Sequence, residues 1–247
     1  MKLVRMALIV TATLALLALP AFGEDPAPPP PPWTGGVGFG LGITSGNTST
    51  ANFNLNFSAK YDPKTKNLFT VDGFYLWGET EHVTSTNKGG MVLRYDRALS
   101  DRTYFFARLG YVKDQFAGIT YLISPTVGVG VHAVKNDKVD LQFLAGVGGA
   151  FEKDLDQPSN SSVAVNAGES FDWKISQTAT LSQHLGGLWK TDSWSDSYYH
   201  FDVSVSAALT KRSELKVTAL VDYKNLPPLP TMDQTDSALM VALVMKF

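Results

Sequence analysis

The chain contains no cysteine, so neither a disulfide nor a thiolate metal site can stabilise its fold. After residue 23 it also has no run of about 18 apolar residues, the length that a membrane-spanning helix needs. Its charges nearly cancel, to a formal net charge of −2, which gives no support for nucleic-acid binding. These absences exclude a disulfide scaffold and a protein that crosses a membrane with several helices.

The amino terminus has the composition of an export signal. Lys2 and Arg5 precede the apolar segment 6–19, and a small-x-small triplet that ends at Gly23 marks a cleavage position. A membrane anchor is the alternative, but about fourteen apolar residues are too few to span a bilayer. We therefore predict a signal peptide over residues 1–23, followed by a proline-rich periplasmic linker over residues 24–34.

From Trp33 onward, apolar and polar residues alternate in about twelve segments of roughly ten to fourteen residues. In the clearest segment, 51–61, odd positions hold Ala, Phe, Leu and Tyr, and even positions hold Asn, Ser and Lys. The last segment, 235–247, alternates in the same way and ends on Phe247. This period of two indicates strands with unlike faces. The predicted fold is all-β: a single antiparallel transmembrane β-barrel of about 12 strands over residues 35–247.

The predicted connections between these strands alternate in length. Short ones follow every second strand, at 62–66, 100–102, 136–138, 176–177 and 211–213. Longer ones rich in Pro, Ser, Thr, Asn or Asp lie between them, at 78–86, 153–162, 190–197 and 225–234. Short turns at one end and longer loops at the other are typical of outer-membrane barrels, whose short turns lie in the periplasm.

The predicted apolar face has aromatic residues near both strand ends, as two interfacial girdles would. A soluble β-sandwich with an aromatic core is the alternative, but about six evenly spaced hairpins exceed what a sandwich needs. Glu169 and Gln183 interrupt the apolar face, and we predict a bulge or a rim position at Glu169.

Several motifs add a resemblance to a known family. They are Thr44-Ser45-Gly46-Asn47-Thr48 after a Gly-rich strand, the segment Tyr104–Tyr111 followed by Lys113-Asp114 and Phe116, Asp172-Trp173-Lys174 ahead of a Ser-x-Thr-Ala turn, and the terminal Phe247. In these motifs the chain resembles the bacterial domain of unknown function 481 family, often described as salt-induced outer membrane proteins. The resemblance spans about Gly35 to Phe247. It implies an outer-membrane barrel and assigns no catalytic residues or substrate.

The inward face is predicted to carry charges of both signs that form a network of ion pairs across the lumen. The predicted lumen-lining residues are Lys60, Asp72, Arg94, Asp96, Arg108, Asp140, Asp172, Lys174, His184, Asp202, Lys216 and Asp222. Inward glycines in 36–42, 128–130 and 146–148 leave room either for a narrow open path or for Arg and Lys side chains from the facing wall. We expect the seam between the first and last strands to be the roomiest wall.

Charges in the predicted connections differ between the two ends. The predicted loops hold acidic residues, among them Glu79, Glu81, Asp114, Glu152, Asp154, Asp156, Asp192, Asp196, Asp233 and Asp236, against Lys88, Lys113, Lys153, Lys190 and Lys224, whereas the short-turn end is basic. An acidic outer mouth would enrich cations; charges that only solvate the loops are the alternative. A divalent cation held by Glu152, Asp154 and Asp156 is a further possibility, weakly indicated because their spacing is loose.

One candidate for catalysis occurs on the inward face. His184 and Ser182 lie two residues apart, as a base and a nucleophile of a lipid hydrolase would. The alternative is that both residues only line a polar lumen. The absence of a His-x-Ser-Asn-Gly motif, which outer-membrane phospholipases show, favours this alternative. His82 falls in a loop, and His132 and His200 lie on the inward face. Without metal-ligand spacing or a phosphate loop, we predict no enzyme activity, no cofactor and no metal.

The sequence therefore predicts a narrow passive channel for ions or small solutes that is linked to salt or osmotic stress. A non-conducting barrel that supports the envelope is the alternative, and a lipid-acting enzyme is the third hypothesis. The expected location is the bacterial outer membrane. The expected partners are membrane lipid and lipopolysaccharide, periplasmic chaperones, and the barrel assembly machinery, for which Phe247 is the predicted assembly signal; no nucleic acid is expected.

Overall fold

The computed structural model describes residues 32–45, 50–80, 83–115, 117–229 and 231–247. These residues form twelve strands: β1 (Trp33–Ser45), β2 (Thr50–Tyr61), β3 (Asn67–Thr80), β4 (Val83–Ala98), β5 (Thr103–Asp114), β6 (Ile119–Lys135), β7 (Val139–Asp154), β8 (Asn160–Lys174), β9 (Ala179–Lys190), β10 (Ser197–Thr210), β11 (Ser213–Lys224) and β12 (Thr235–Lys246). β1 begins at Trp33, slightly before the predicted barrel boundary. Outside the described residues lie the predicted signal peptide, the linker up to residue 31, Glu81, His82, Phe116 and Gly46-Asn47-Thr48.

The sheet closes on itself. β1 and β12 pair antiparallel from Gly36 opposite Lys246 to Ser45 opposite Ser237, and every other strand pairs with its neighbours in sequence. Closure gives the backbone N–H and C=O groups of both edge strands a partner, which is the condition for strands in lipid. The predicted antiparallel barrel is confirmed. Among the described residues there is no helix of the length and apolarity needed to cross a membrane.

The two ends of the barrel differ in their connections. The end that carries Trp33 and Phe247, here called the turn end, has the short connections 62–66, 99–102, 136–138, 175–178 and 211–212. The opposite end, here called the loop end, has the connections 115–118, 155–159, 191–196 and 225–234, of which the last two are longer than any connection at the turn end. The predicted long loop at 78–86 is wrong, because β3 and β4 stay paired up to Thr80 and Val83. Backbone pairing does not depend on side-chain polarity, so these strands extend beyond the alternating pattern.

Aromatic side chains edge the apolar outer face at both ends. At the turn end, the ring of Tyr61 lies 4.7 Å from that of Trp33 and 6.3 Å from that of Phe69, measured between centroids. At the loop end, Trp189 Nε1 donates a hydrogen bond to the Tyr199 hydroxyl at 2.9 Å. These two bands correspond to the predicted girdles.

Two polar residues on the outer face satisfy each other. Gln183 Nε2 on β9 donates a hydrogen bond to Glu169 Oε2 on β8 at 3.0 Å. The register of β8 with both of its neighbours runs without a shift through Glu169. The predicted bulge is therefore wrong. A regular ladder already brings the amide to the carboxylate, so no irregularity is needed to remove either group from the apolar face.

The seam between β1 and β12 is tightly packed. The inward side chains of Met240 and Ala242 are buried. A Cβ atom added to Gly40 would meet the carbonyl oxygen of Val241 and lie 2.7 Å from the Cα of Ala242. The expectation that this wall is the roomiest is therefore wrong. The missing side chain lets the β12 backbone come close and does not leave free space.

The inward glycines of β6 and β7 lie under two aromatic rings of β5. An added Cβ would lie 2.8 Å from the Phe106 ring at Gly128 and 3.0 Å from it at Gly146. At Gly130 the added atom would overlap the Tyr104 ring. The room at these positions is thus filled by rings from the same wall, and neither predicted use, an open path or Arg and Lys side chains from the facing wall, applies there.

Candidate functional site

Ion pairs cross the lumen near the loop end. Lys88 Nζ on β4 lies 2.7 Å from Asp114 Oδ2 on β5 and 2.5 Å from Asp222 Oδ2 on β11. β4 and β11 are not neighbours in the barrel, so the second contact spans the interior. The exposed fractions of the Lys88 and Asp222 side chains are only 8% and 5%. His200 Nδ1 of β10 lies 2.7 Å from Asp222 Oδ1.

Two more lysines extend this network. Lys190 on β9 binds Glu152 on β7, and its Nζ lies 2.5 Å from Asp196 Oδ2. Lys224 Nζ on β11 lies 2.6 Å from Asp154 Oδ2 on β7. β7 and β11 are four strands apart, so the Lys224 contact also crosses the lumen, whereas the Lys190 contact passes over β8 on one wall. Each ammonium group is offset by carboxylates, which is what allows such charges to be buried.

Apolar side chains fill the space around these ion pairs. One cluster lies on β6 to β9 and contains Ile119, Leu122, Ala150, Ala164 and Leu188. A second cluster joins β3 to β11 and β12 and contains Leu76, Leu220, Ala238 and Met240. We call the ion pairs of Lys88, Lys190 and Lys224 together with these two clusters the lumen plug. Since its side chains are buried, the plug closes the interior at the loop end.

Between the plug and the turn end, the part of the interior beside β3 and β9 is open to solvent, whereas the buried rings of Tyr104 and Phe106 occupy the side along β5 to β7. A Cβ atom added to the inward Gly186 of β9 would meet no atom within 4 Å. The His184 side chain is 49% exposed, and Asp72 is exposed as well. Asp72 on β3 and His184 on β9 lie on opposite walls of this space. We call this space the vestibule.

Most of the predicted lumen-lining residues that make polar contacts do so with near neighbours. Arg94 Nε donates to Asp96 Oδ1 at 2.7 Å on the same strand. His184 Nδ1 and Asp202 Oδ2 lie 3.1 Å apart on adjacent strands. Of the predicted set, Asp222 is the member whose ion pair crosses the lumen, and its partner Lys88 was not in that set.

The other predicted residues occupy the vestibule wall. Asp140 Oδ1 lies 2.6 Å from His132 Nδ1, and Asp172 accepts a hydrogen bond from the Ser182 hydroxyl. Lys60 and Lys174 are exposed near the turn end, whereas Lys216 and Arg108 are partly buried. Apart from Asp222, which belongs to the plug, the predicted set therefore describes the vestibule.

A family model described as protein of unknown function, DUF481, matches residues 37–247. The chain belongs to this family. The resemblance carried by the sequence motifs is thereby confirmed. None of the curated proteins compared with the sequence matched it.

The DUF481 barrel is similar in fold to several solved structures. NanC porin superposes with a TM-score of 0.57 at 10% identity, over 85% of this chain and 100% of the porin. The COG4313 outer membrane channel from Pseudomonas putida F1 gives 0.51 at 12% identity, over 91% and 100% of the two chains. The translocator domain of autotransporter NalP from Neisseria meningitidis gives 0.52 at 8% identity, over 100% and 96%. At such low identities the likeness shows the fold alone.

Most of the charged plug residues of this DUF481 chain, with the exception of Asp222, were predicted to be loop charges. That prediction is wrong for Asp114, Glu152, Asp154 and Lys190, which lie inside the barrel on extended strands. The predicted divalent cation site is also wrong, because lysines neutralise Glu152 and Asp154. The alternation of residue numbers would have identified them. Lys190 is even-numbered and continues the series of inward residues that includes His184, so this strand extends beyond its predicted end. The described residues contain no group of three or more His, Asp or Glu side chains that could hold a metal ion.

The candidate nucleophile and base are not joined. Ser182 Oγ donates to Asp172 Oδ1 at 2.5 Å, whereas His184 contacts Asp202. Each side chain of the predicted pair is thus engaged by a different carboxylate. A general base must lie within hydrogen-bond reach of the hydroxyl that it activates, so this arrangement does not form the predicted pair.

Proposed function

We propose that the protein is an outer-membrane β-barrel that acts as a narrow passive channel for ions or small solutes. One observation carries the proposal: a charged vestibule, partly accessible to solvent, that ends at a plug held by ion pairs between separate strands. The porin-like fold and the export signal support the location, with the turn end in the periplasm and the loop end outside. The plug is then the gate at the outer mouth.

The ion pairs make the proposed gate sensitive to ionic strength. While the plug is closed, Lys88, Lys190 and Lys224 are buried and screened little by dissolved ions. In an open state the same charges are separated and exposed, so counterions stabilise that state more than the closed one. Higher ionic strength therefore raises the open fraction, which is the link to salt stress that we propose.

Conductance of purified protein in a planar bilayer tests the channel. We expect rare openings of the wild-type protein that become more frequent as the KCl concentration rises. Lys88→Met removes the ammonium group between Asp114 and Asp222, so the two carboxylates repel and the closed state loses about 3–5 kcal/mol. The open fraction of this variant should therefore be high even at low salt.

Lys64→Met is the matched control. The Lys64 side chain is exposed in a turn, and its Nζ lies 3.0 Å from Asp62 Oδ2. Its loss removes one ammonium group and one ion pair outside the lumen, so the gating should be that of the wild type. Silence of both the wild-type and the Lys88→Met proteins over many insertions at every salt concentration would refute the channel.

The same experiment tests a second function, a non-conducting barrel that supports the envelope. The burial of the plug favours it, because Lys190 is only 4% exposed and makes two carboxylate contacts. If the plug is permanent, Lys88→Met should destabilise the folded barrel without conductance. Urea unfolding of the variant in parallel with the bilayer recordings separates the two functions.

A further inference from the structure

Arg108 is a cation in the interior of the barrel that has no counterion in the part of the chain that the structure describes. Its side chain lies on the inward face of β5, partly exposed to the vestibule. No hydrogen bond and no ion pair joins its guanidinium group to any of the described residues. Arg94, the inward residue in register on β4, has by contrast the carboxylate of Asp96 at 2.7 Å.

The surroundings of Arg108 make this lack of a partner costly. Arg94 is held in place by Asp96 and by the faces of Tyr104 and Phe106, whose ring centroids lie 5.3 and 5.7 Å from its guanidinium carbon. Its charge acts on Arg108 across the register pair. Two like charges directly opposite each other repel, and a partly buried cation without an acceptor loses solvation that nothing replaces.

Donors without acceptors continue along the same wall. Thr126 is the register partner of Arg108 on β6, is 3% exposed, and its hydroxyl has no hydrogen-bond partner among the described residues. Asn166 on β8 is 4% exposed, and its amide Nδ2 is unsatisfied in the same way. Gly146 lies between these two residues and adds no side chain. Buried polar groups normally have partners, so two buried donors without acceptors, beside the unpaired Arg108, point to an acceptor from outside the described residues.

We propose that Arg108, together with Thr126, forms a binding site for an oxyanion, a carboxylate or a phosphate group of a small solute. The guanidinium group presents a planar fork of N–H donors that fits two oxygens of either group. The site lies on the vestibule wall directly below the plug, since Val112, two inward positions further along β5, packs against the apolar cluster of β6 to β9. The inference that this site binds the transported solute rests on the proposed channel, whereas the existence of the binding site does not.

Isothermal titration calorimetry of the folded protein in detergent tests the site. Inorganic phosphate is titrated in one series and acetate in another, at constant ionic strength. We expect saturable binding by the wild-type protein and binding at least tenfold weaker by Arg108→Met. Arg212→Met is the matched control, because Arg212 lies exposed in a turn and its recorded contacts are through the backbone; it should bind like the wild type. If the wild-type protein shows no saturable heat, or if Arg108→Met binds equally well, the site does not exist.

Stability of the same variant is a second, independent measurement. Because Arg108 has no acceptor among the described residues, Arg108→Met should leave the urea midpoint unchanged or raise it. A lowered midpoint would mean that Arg108 has a structural partner, which contradicts the proposal. The failure of the proposed channel can be distinguished from the failure of the proposed site. If the bilayers stay silent while phosphate binding is intact, only the channel is refuted. If the protein conducts while Arg108→Met leaves phosphate binding unaffected, only the site is refuted.

Discussion

Two inward glycines provide a matched test of how closely the strands pack. Gly40 on β1 and Gly186 on β9 both lie inside the barrel within regular strands. An alanine at Gly40 would drive its Cβ into the backbone of Val241 and Ala242, whereas an alanine at Gly186 would meet no atom within 4 Å. The same substitution, Gly→Ala, therefore has opposite consequences at the two positions.

The magnitudes follow from these contacts. At Gly186 the alanine brings no clash and reduces the freedom of the unfolded chain, which should stabilise the barrel by about 0.5–1 kcal/mol. At Gly40 the obstacle is backbone, which cannot rotate away as a side chain would. Relief requires β1 and β12 to separate at the seam, which should cost about 1–3 kcal/mol or more. The two variants should thus differ by roughly 2–4 kcal/mol.

Urea unfolding of the two variants in identical lipid vesicles measures this difference, with folding followed by the altered gel mobility of an unheated barrel. We expect Gly186→Ala to unfold at or above the wild-type midpoint and Gly40→Ala well below it, or not to fold. Equal midpoints for the two variants would refute the close approach of β1 and β12. A loss of stability in Gly186→Ala would show that the vestibule is filled at that position.

Three further outcomes are expected. Gln183→Leu should lower the free energy of unfolding in urea by about 1–3 kcal/mol, because Glu169 loses its hydrogen-bond donor on the outer face. The double variant Glu169→Leu/Gln183→Leu should recover this stability. A double variant less stable than the single one would contradict the prediction. Tyr104→Ala should cost about 3–5 kcal/mol in the same assay, since the ring over Gly130 and its hydrogen bond to Gln142 are both lost. Deletion of Phe247, whose backbone exchanges two hydrogen bonds with Gly35, should reduce the folded barrel in the outer membrane, quantified from membrane fractions; insertion at the wild-type level would exclude it as an assembly signal.

Much of the fold was predictable because strand alternation is a local property. Each strand has one lipid-facing side, so the period of two marks strand position and orientation directly in the residues, as in 51–61. The prediction failed where pairing continues without that pattern. β3 and β4 run on to Thr80 and Val83, because the ladder needs only backbone groups.

The lining of the lumen was predictable only as a set of inward residues. Parity placed Arg94, Arg108 and Asp222 inside, because a side chain's face depends on its own position in its own strand. Parity does not state which inward groups meet. Contacts such as Lys88 with Asp222 depend on the curvature and closure of the barrel, which place β4 and β11 within reach of each other.

The sequence by itself thus determined that the chain forms a closed barrel with an apolar outer face and a charged interior. The tertiary structure decided that the loop end of this interior is plugged, that the seam glycines draw β1 and β12 together, and that Arg108 has no counterion among the described residues. The physical reason is the range of the interactions involved. The alternation of apolar and polar residues is a property of a single strand, whereas the burial and pairing of a charge depend on groups that only closure of the barrel brings together.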